Sequence, residues 1–467
     1  MGVMLKAEGS SIEELDSRSR STIMPESIQE LVDIVEESQV RFLRFGWVDN
    51  AGVYRVHAIR ASRIAKMASD GLGLATGAQA VPVHEDVVAE GLPIGPVGQV
   101  WLLPDAESFR VLPWEREHGA VMGSFVSQDG SPWAYCPRGT LQRQIDRLSH
   151  RGLTLQAAFE HEFMLLREKD GLLSHFETSH YASTHGLDAA GPLLDEMVRA
   201  LEEQGVAVES MLKEAGLSQF EIVTEHGSPL RAADHFVTVR ETISAVAMRH
   251  ELIGTCLPLV FEEEAGNGWH LHFSLFQGSE NLTSDGPVLG ELSAGFLAGV
   301  LEHLPGLCAL TAPSPNSYRR IRPGSWAGAY RVWGYDNKEA ALRVPSARRG
   351  GATNIELKVV DASANPYLAL AAVIGAGLDG IERGLSLPDP VEEDAGSLSE
   401  AERARRGIES LPARLSDALA SLRSDDVILE VLGPELALAY RTVKEAEVAH
   451  FEDRALEEEV RELLTAY

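Results

Sequence analysis

The sequence predicts an α+β protein with a small mixed β domain over residues 25–132 and a larger domain over 133–467. Three observations carry that expectation. At 467 residues the chain exceeds one ordinary core. Short β-rich runs gather before residue 132, whereas amphipathic helices alternate with strands of period two after it. The last 70 or so residues read almost wholly as helix.

Residues 1–24 are polar and of mixed charge, and read as a flexible tail before the helix pattern MPESIQELVDIVEES. RFLRFGWVDNAGVYRVHAIR follows, two β-rich runs around DNAG, which is a hairpin signal. QVWLLPD and VMGSFV supply further strands, with the turn QDGSPW after them. CPRGTLQRQIDRLSHRG opens the larger domain as a helix. The longest apolar helix candidate, PYLALAAVIGAGLDG from Pro366, is too short and too interrupted to span a bilayer.

Hydrophobic residues at 44% and charged residues at 24% are ordinary globular usage. A formal charge of −29 disfavours nucleic-acid and acidic-membrane partners, which need clustered Lys and Arg over a wide face. Cys136, Cys256 and Cys308 lie far apart without metal or disulfide spacing, so reduced thiols in a cytoplasmic protein are expected.

Four segments of the larger domain are apolar on one face and carry chemistry on the other. FEHEF places Glu160 and Glu162 two residues apart, opposite Phe159, His161 and Phe163. SQFEIV sets Gln219 and Glu221 against Phe220 and Ile222; WHLHFSLF sets His270, His272 and Ser274 against Leu271, Phe273 and Leu275. TNIELKVV sets Asn354, Glu356 and Lys358 against Ile355, Leu357 and Val359. Unpaired carboxylates in such places cost several kcal/mol each, so a divalent cation or a shared proton is called for. One such strand alone reads as a solvated sheet face. Together they read as a metal-lined bowl, and carboxylates with one or two imidazoles suit Mg²⁺ or Mn²⁺ better than zinc.

Residues 316–358 hold nine Lys or Arg against three Asp or Glu, a local charge of +6 in an acidic chain. Arg319, Arg320, Arg322, Arg331, Lys338, Arg343, Arg348 and Arg349 lie in loop-like sequence broken by Pro and Gly. Beside metal-holding carboxylates such cations complete a polyphosphate site. Alone they would read as a loop pairing with acidic surface or with another subunit.

From about residue 25 onward the chain resembles the glutamine synthetase family, through motifs that occur in family order. These are DNAG, the ExE of FEHEF, EAGLSQFE, GNGWHLHFSL, NSYRRIRPG, ALRVP and IELKVVDASANPYLALAA. The resemblance implies an N-terminal β-grasp domain, a catalytic domain with a curved antiparallel sheet and surrounding helices, and a homododecamer with active sites between subunits. It implies one metal, Mg²⁺ or Mn²⁺, on Glu162, Glu214 and Glu221 and another on Glu160, His270 and Glu356. It gives Arg320 to the transferred phosphoryl or the substrate carboxylate and Arg343 to the phosphates of ATP. Gly266 would hold the amino-acid end of glutamate, with Lys358 at a substrate-binding arginine position. His272, Ser274, Lys338 and Asn354 would lie toward the nucleotide. Asp49, reaching in from an adjacent subunit, would take the proton of the attacking amine. The implied chemistry is phosphorylation of the γ-carboxylate of glutamate by ATP, then displacement of phosphate by an amine.

The chain departs from the family pattern at Trp326, where ammonia-using members carry a glutamate on a flap. A neutral indole cannot replace a carboxylate for a small hydrated cation, but it packs against a hydrocarbon or attracts an alkylammonium for about 0.5–2 kcal/mol. Ala265 replaces an asparagine, Leu259 replaces a lysine, and Lys338, Asn354 and Lys358 occupy usual arginine positions. The D-G-S-S segment of the first domain has no clear match in GLGLATGAQA, and Ser397 stands near a tyrosine that is adenylylated in some members. The expectation is a ligase acting on glutamate and a primary amine with a sizeable apolar or aromatic body. A dicationic amine would ask for added carboxylates beside the amine.

Overall fold

The computed structural model describes residues 26–285, 288–348 and 354–467. The tail expected over residues 1–24, and Arg349 of the basic segment, lie outside the described residues.

The first domain opens with helix α1 (Glu26–Glu37), which buries Leu31, Val32 and Val35. Strands β1 (Phe42–Val48) and β2 (Tyr54–Arg60) form the antiparallel hairpin around DNAG. Gly52 takes φ +88°, a conformation that favours glycine and lets its amide reach the Asp49 carbonyl at 3.1 Å. Helix α2 (Ile64–Asp70) leads to β3 (Leu72–Ala75), β4 (Gln99–Pro104), β5 (Arg110–Val111) and β6 (His118–Val126). The sheet runs β2-β1-β6-β4-β3, with β5 beside β6, and only β1 and β6 are parallel. Phe45, Trp47, Val121 and Phe125 fill its core.

The second domain is built on a sixteen-residue strand, β7 (Thr154–Lys169), reached through α3 (Pro137–Ser149). Strand β8 (Leu172–His175), α4 (Thr184–Glu203), β9 (Val208–Lys213), β10 (Gln219–Thr224), α5 (Pro229–Arg249), β11 (Ile253–Thr255) and β12 (Leu271–Gln277) follow. After β13 (Glu280–Asn281) come the ribbon β14 (Ser284–Asp285) and β15 (Val288–Leu289), then α6 (Glu291–Thr311) and the short α7 (Ser317–Arg320). Strands β16 (Tyr330–Tyr335), β17 (Ala340–Val344) and β18 (Ile355–Leu357) complete the sheet before α8 (Pro366–Arg383). The chain ends in α9 (Glu400–Arg406), α10 (Leu415–Arg423), α11 (Asp426–Leu432), α12 (Pro434–Phe451) and α13 (Leu456–Leu463).

The ten-stranded sheet runs β16-β17-β18-β12-β7-β10-β9, with β8 and β11 on β7 and β13 on β12. It is antiparallel except for the parallel pair β16 and β17, which the expectation of an antiparallel sheet had not foreseen. Helices α5 and α6 pack on the sheet and α8 packs against both, while Phe159, Phe163, Phe220, Ile222 and Phe273 are buried in the core. Among the described residues, helix α6, not α8, is the one whose length and composition would suffice to cross a bilayer, and most of it is buried in this core. Helix α13 lies under the segment Leu257–Val260, and Glu459 on it bonds both Arg319 Nε (2.9 Å) and Asn316 Nδ2 (3.1 Å).

Candidate active site

Period-two alternation on β7 puts Glu160 and Glu162 on the face opposite the core, while His161, wholly buried behind them, bonds the Ile222 carbonyl. Register then decides what meets them. Glu221 of β10 stands directly across from Glu162, a like-charge pair that is destabilising unless a cation separates it. Glu214, just past β9, completes a trio with Glu162 and Glu221 whose donor oxygens lie within 4.8 Å of one another. On the other side, Arg343 of β17, Glu356 of β18 and His272 of β12 stand in one cross-strand row.

Glu160, His272 and Glu356 form the second trio with donor atoms within 4.8 Å. The family pattern had allotted His270 to this set and His272 to the nucleotide. His272 Nε2 is 3.0 Å from Glu160 Oε1, while His270 Nδ1 is 3.1 Å from Glu160 Oε2 and 3.5 Å from Glu356 Oε1. Both imidazoles therefore reach the carboxylates. His272 Nδ1 also contacts Asn354 Oδ1 at 2.9 Å, which fixes its ring.

The electrostatics divide the cluster. Burial, and then the neighbouring Glu214 carboxylate, push Glu162 up to about 8. Burial, with Glu160, Glu162, Glu214 and Glu356 around it, pushes Glu221 up to about 9. Burial would also raise Glu160, but hydrogen bonds from His270 and His272 outweigh it and hold that carboxyl well below its usual range. Glu356 is likewise buried, yet Lys358 Nζ at 3.0 Å and the two histidines bring it to about 2. Burial lowers His270 to about 4, whereas Glu160 overcomes the burial of His272 and raises it to about 9. Oxygen-rich donor sets with an imidazole, carrying carboxylates that resist ionising together, fit a pair of divalent cations.

Two cavities meet at this cluster, and Glu160 and Glu221 line both. The first, about 560 Å³, is lined by His272, Ser274 and Asn354, the residues expected toward the nucleotide. The second, about 490 Å³, holds Glu162, Glu214, Gly266, Arg320, Trp326 and Lys358. Lys338 and Arg343, also expected toward the nucleotide, line the second cavity instead. Arg343 Nη1 is engaged by Glu356 at 2.9 Å, and Lys338 Nζ sits 5.1 Å from the Trp326 ring centroid. Gly266 must be glycine, because a Cβ there would lie 2.4 Å from the Pro258 carbonyl and 2.6 Å from Arg320 Cγ. Arg320 is buried and donates to the Lys358 and Val360 carbonyls at 3.3 and 3.1 Å.

Trp326 is 58% exposed at this second cavity and holds φ +57°, a left-handed conformation uncommon for a bulky residue. Glu339 stabilises it by accepting the Trp326 amide at 3.0 Å. Sequence reasoning missed Glu339, which stands beside Lys338 in DNKEAALRVP. It also missed Glu264, which precedes GNG and lines the second cavity. The FEEEAG run was the available signal, but a run of acids is usually only a solvated surface.

Asp49, expected to act at an adjacent subunit's site, lines neither cavity of its own chain and is buried within that chain. The hairpin turn consumes it: Oδ1 accepts the Ala51 and Val53 amides at 3.0 Å, and Oδ2 accepts Arg55 Nε at 2.8 Å. TNIELKVV is a correction: β18 has only three residues, so Asn354 and Lys358 flank the strand.

The sheet thus carries two carboxylate-rich trios on its polar face, between two chambers, the arrangement of a metal-dependent enzyme site. Residues 134–463 match the model of the glutamine synthetase catalytic domain, and residues 27–133 that of the glutamine synthetase N-terminal domain. The chain belongs to the glutamine synthetase family and is an ATP-dependent carbon–nitrogen ligase. It is 36% identical over 416 residues to the gamma-glutamylpolyamine synthetase GlnA3 of Streptomyces coelicolor, covering 87% of this chain and 89% of that one. It is 32% identical to type-1 glutamine synthetase 1 of Dictyostelium discoideum, covering 92% and 90% respectively. Among solved structures it is similar to a "novel glutamine synthase homolog" (34% identity, TM-score 0.81, 92% of this chain and 99% of that one). It is also similar to a "GmaS/ADP complex" (28% identity, TM-score 0.81, 92% and 98%).

Proposed function

We propose that this enzyme joins the γ-carboxylate of glutamate to a primary amine that carries a hydrocarbon stem, through a γ-glutamyl phosphate. The observation that carries the reading is the exposed indole of Trp326 at the second cavity, where ammonia-using relatives of the family would present a carboxylate. The gamma-glutamylpolyamine synthetase relative supports an amine larger than ammonia.

In this reading ATP lies in the first cavity toward His272, Ser274 and Asn354, and glutamate lies in the second against Gly266, Arg320 and Lys358. Mg²⁺ or Mn²⁺ held by the two trios would supply charge neutralisation between them. A γ-carboxylate oxygen of glutamate attacks the terminal phosphorus, and ADP leaves. The amine nitrogen then attacks the acyl carbon, phosphate leaves, and the nitrogen gives up its proton. Arg320 and Lys358 orient the acid, and the buried position of Arg320 makes its charge act at low dielectric. Trp326 packs against the stem of the amine and keeps water from the acyl phosphate. The reading includes a cytoplasmic homododecamer, whose mass size-exclusion chromatography with light scattering would report.

The test is phosphate release by purified protein with ATP, glutamate and Mg²⁺ or Mn²⁺ across ammonia, alkylamines, anilines, ethanolamine and polyamines. Release that depends on an organic amine, with a product mass of glutamate plus amine less water, is the expected result. Turnover with ammonia alone would refute it.

A further inference from the structure

The second cavity carries one carboxylate that the cations do not need. Glu160 and Glu356 belong to one trio, and Glu162, Glu214 and Glu221 to the other. Glu264 lines the same cavity and belongs to neither. Its Oε1 lies 2.8 Å from His175 Nε2, and its Oε2 is buried without a hydrogen-bond partner among the described residues. A buried carboxylate oxygen without a donor has lost its hydration uncompensated, a loss that a cationic ligand would recover.

The chain's own cations are committed elsewhere. Arg320 serves two carbonyls, Arg322 Nη2 donates to the Glu262 carbonyl at 2.9 Å, Lys338 sits over Trp326, and Arg343 and Lys358 hold Glu356. Among the described residues, none of these five pairs with Glu264. His175 is itself held against the Phe261 ring, with centroids 4.6 Å apart, so the pair is positioned before any ligand arrives. The Arg322 contact ties the segment that bears Glu264 to the loop that bears Trp326. An apolar ring and a spare carboxylate therefore face one substrate chamber from two connected loops.

Building on the amine-ligase reading, we propose that Glu264 receives a second ammonium group, so that the amine substrate is a linear diamine or polyamine. One nitrogen of that substrate attacks the activated glutamate. The methylene stem lies along Trp326, and the distal ammonium meets the Glu264 carboxylate in a charge-assisted hydrogen bond. No covalent step is added, since the distal nitrogen is unchanged in the product.

The experiment compares 1,4-diaminobutane with butylamine, which has the same stem without the second charge, for wild type and the Glu264→Gln and Glu264→Asp variants. The readout is the ratio of kcat/KM for the diamine over the monoamine, together with KM for glutamate. Wild type is expected to prefer the diamine, Glu264→Gln to lower that ratio at least tenfold, and Glu264→Asp to restore part of it. Equal use of the two amines by wild type, or a ratio unmoved by Glu264→Gln, overturns this inference and leaves the amine-ligase reading standing. A rise in KM for glutamate with no change in the ratio also overturns it, because Glu264 would then hold the α-ammonium of glutamate. No turnover with any amine sinks both.

Discussion

Removing divalent cations should make the fold progressively less stable between pH 6.5 and 8, and the cluster says by how much. Glu162 and Glu221 titrate near 8 and 9 in the folded chain, against 4.5 for an ordinary glutamate. For an acid raised in this way, the unfolded chain releases its proton first. Stability is therefore lost as pH climbs from 4.5 to the folded value. His272, raised to about 9, acts in the same direction: its contribution is whole below 6.5 and disappears as pH approaches 9. His270, lowered to about 4, changes its contribution only below 6.5, outside this window. Each group loses about 1.4 kcal/mol per pH unit, so each of the two carboxylates removes about 2 kcal/mol between pH 6.5 and 8. Divalent cations bind the ionised carboxylates, so saturation at a hundredfold Kd restores about 2.7 kcal/mol, more effectively at the higher pH. Thermal melts in chelator and in excess Mg²⁺ or Mn²⁺, at both pH values, report the difference. Glu221→Gln should flatten the slope in chelator and abolish part of the metal response. A chelated protein as stable at pH 8 as at 6.5, or a slope that survives Glu221→Gln, would refute the reasoning.

Trp326→Ala should raise KM for the preferred amine by about 2- to 30-fold, the equivalent of 0.5–2 kcal/mol, and Trp326→Glu should shift preference toward ammonia; steady-state kinetics on matched amines check both. Glu339→Ala removes the acceptor that holds the Trp326 amide, so KM for the amine should rise several-fold while KM for ATP stays within twofold; Glu339→Gln, which can still accept, should recover most of the loss. Glu459→Ala removes the carboxylate shared by Arg319 and Asn316 beneath the Leu257–Val260 segment, leaving them the Arg454 and Leu259 carbonyls, and should cost about 2 kcal/mol, seen as a lower melting temperature.

The sequence disclosed the chemistry of the face better than its grouping. Period-two spacing was enough to separate Glu160 and Glu162 from Phe159 and Phe163, because that alternation is local. The two-domain α+β fold was legible for a similar reason: hairpin and helix signals lie within about fifteen residues. That His272 reaches Glu160 together with His270 depends on the register of strands distant in sequence, and spacing alone does not encode that register. Asp49 sits in a turn that engages both its carboxylate oxygens, a demand visible only once the turn is closed. Glu264 and Glu339 escaped because their significance is relational: each acquires meaning from a loop that arrives from elsewhere.

Glu160 and Glu221 face both chambers at once, so the partition between them carries an ionised carboxylate, Glu160, beside one, Glu221, whose own ionisation that charge opposes. An anionic nucleotide on one side and an anionic amino acid on the other would each be repelled by that shared wall until it is neutralised. Loading should thus follow a sequence, with cations first and the two anions afterward, and the enzyme would be protected against spending nucleotide when the ions are scarce.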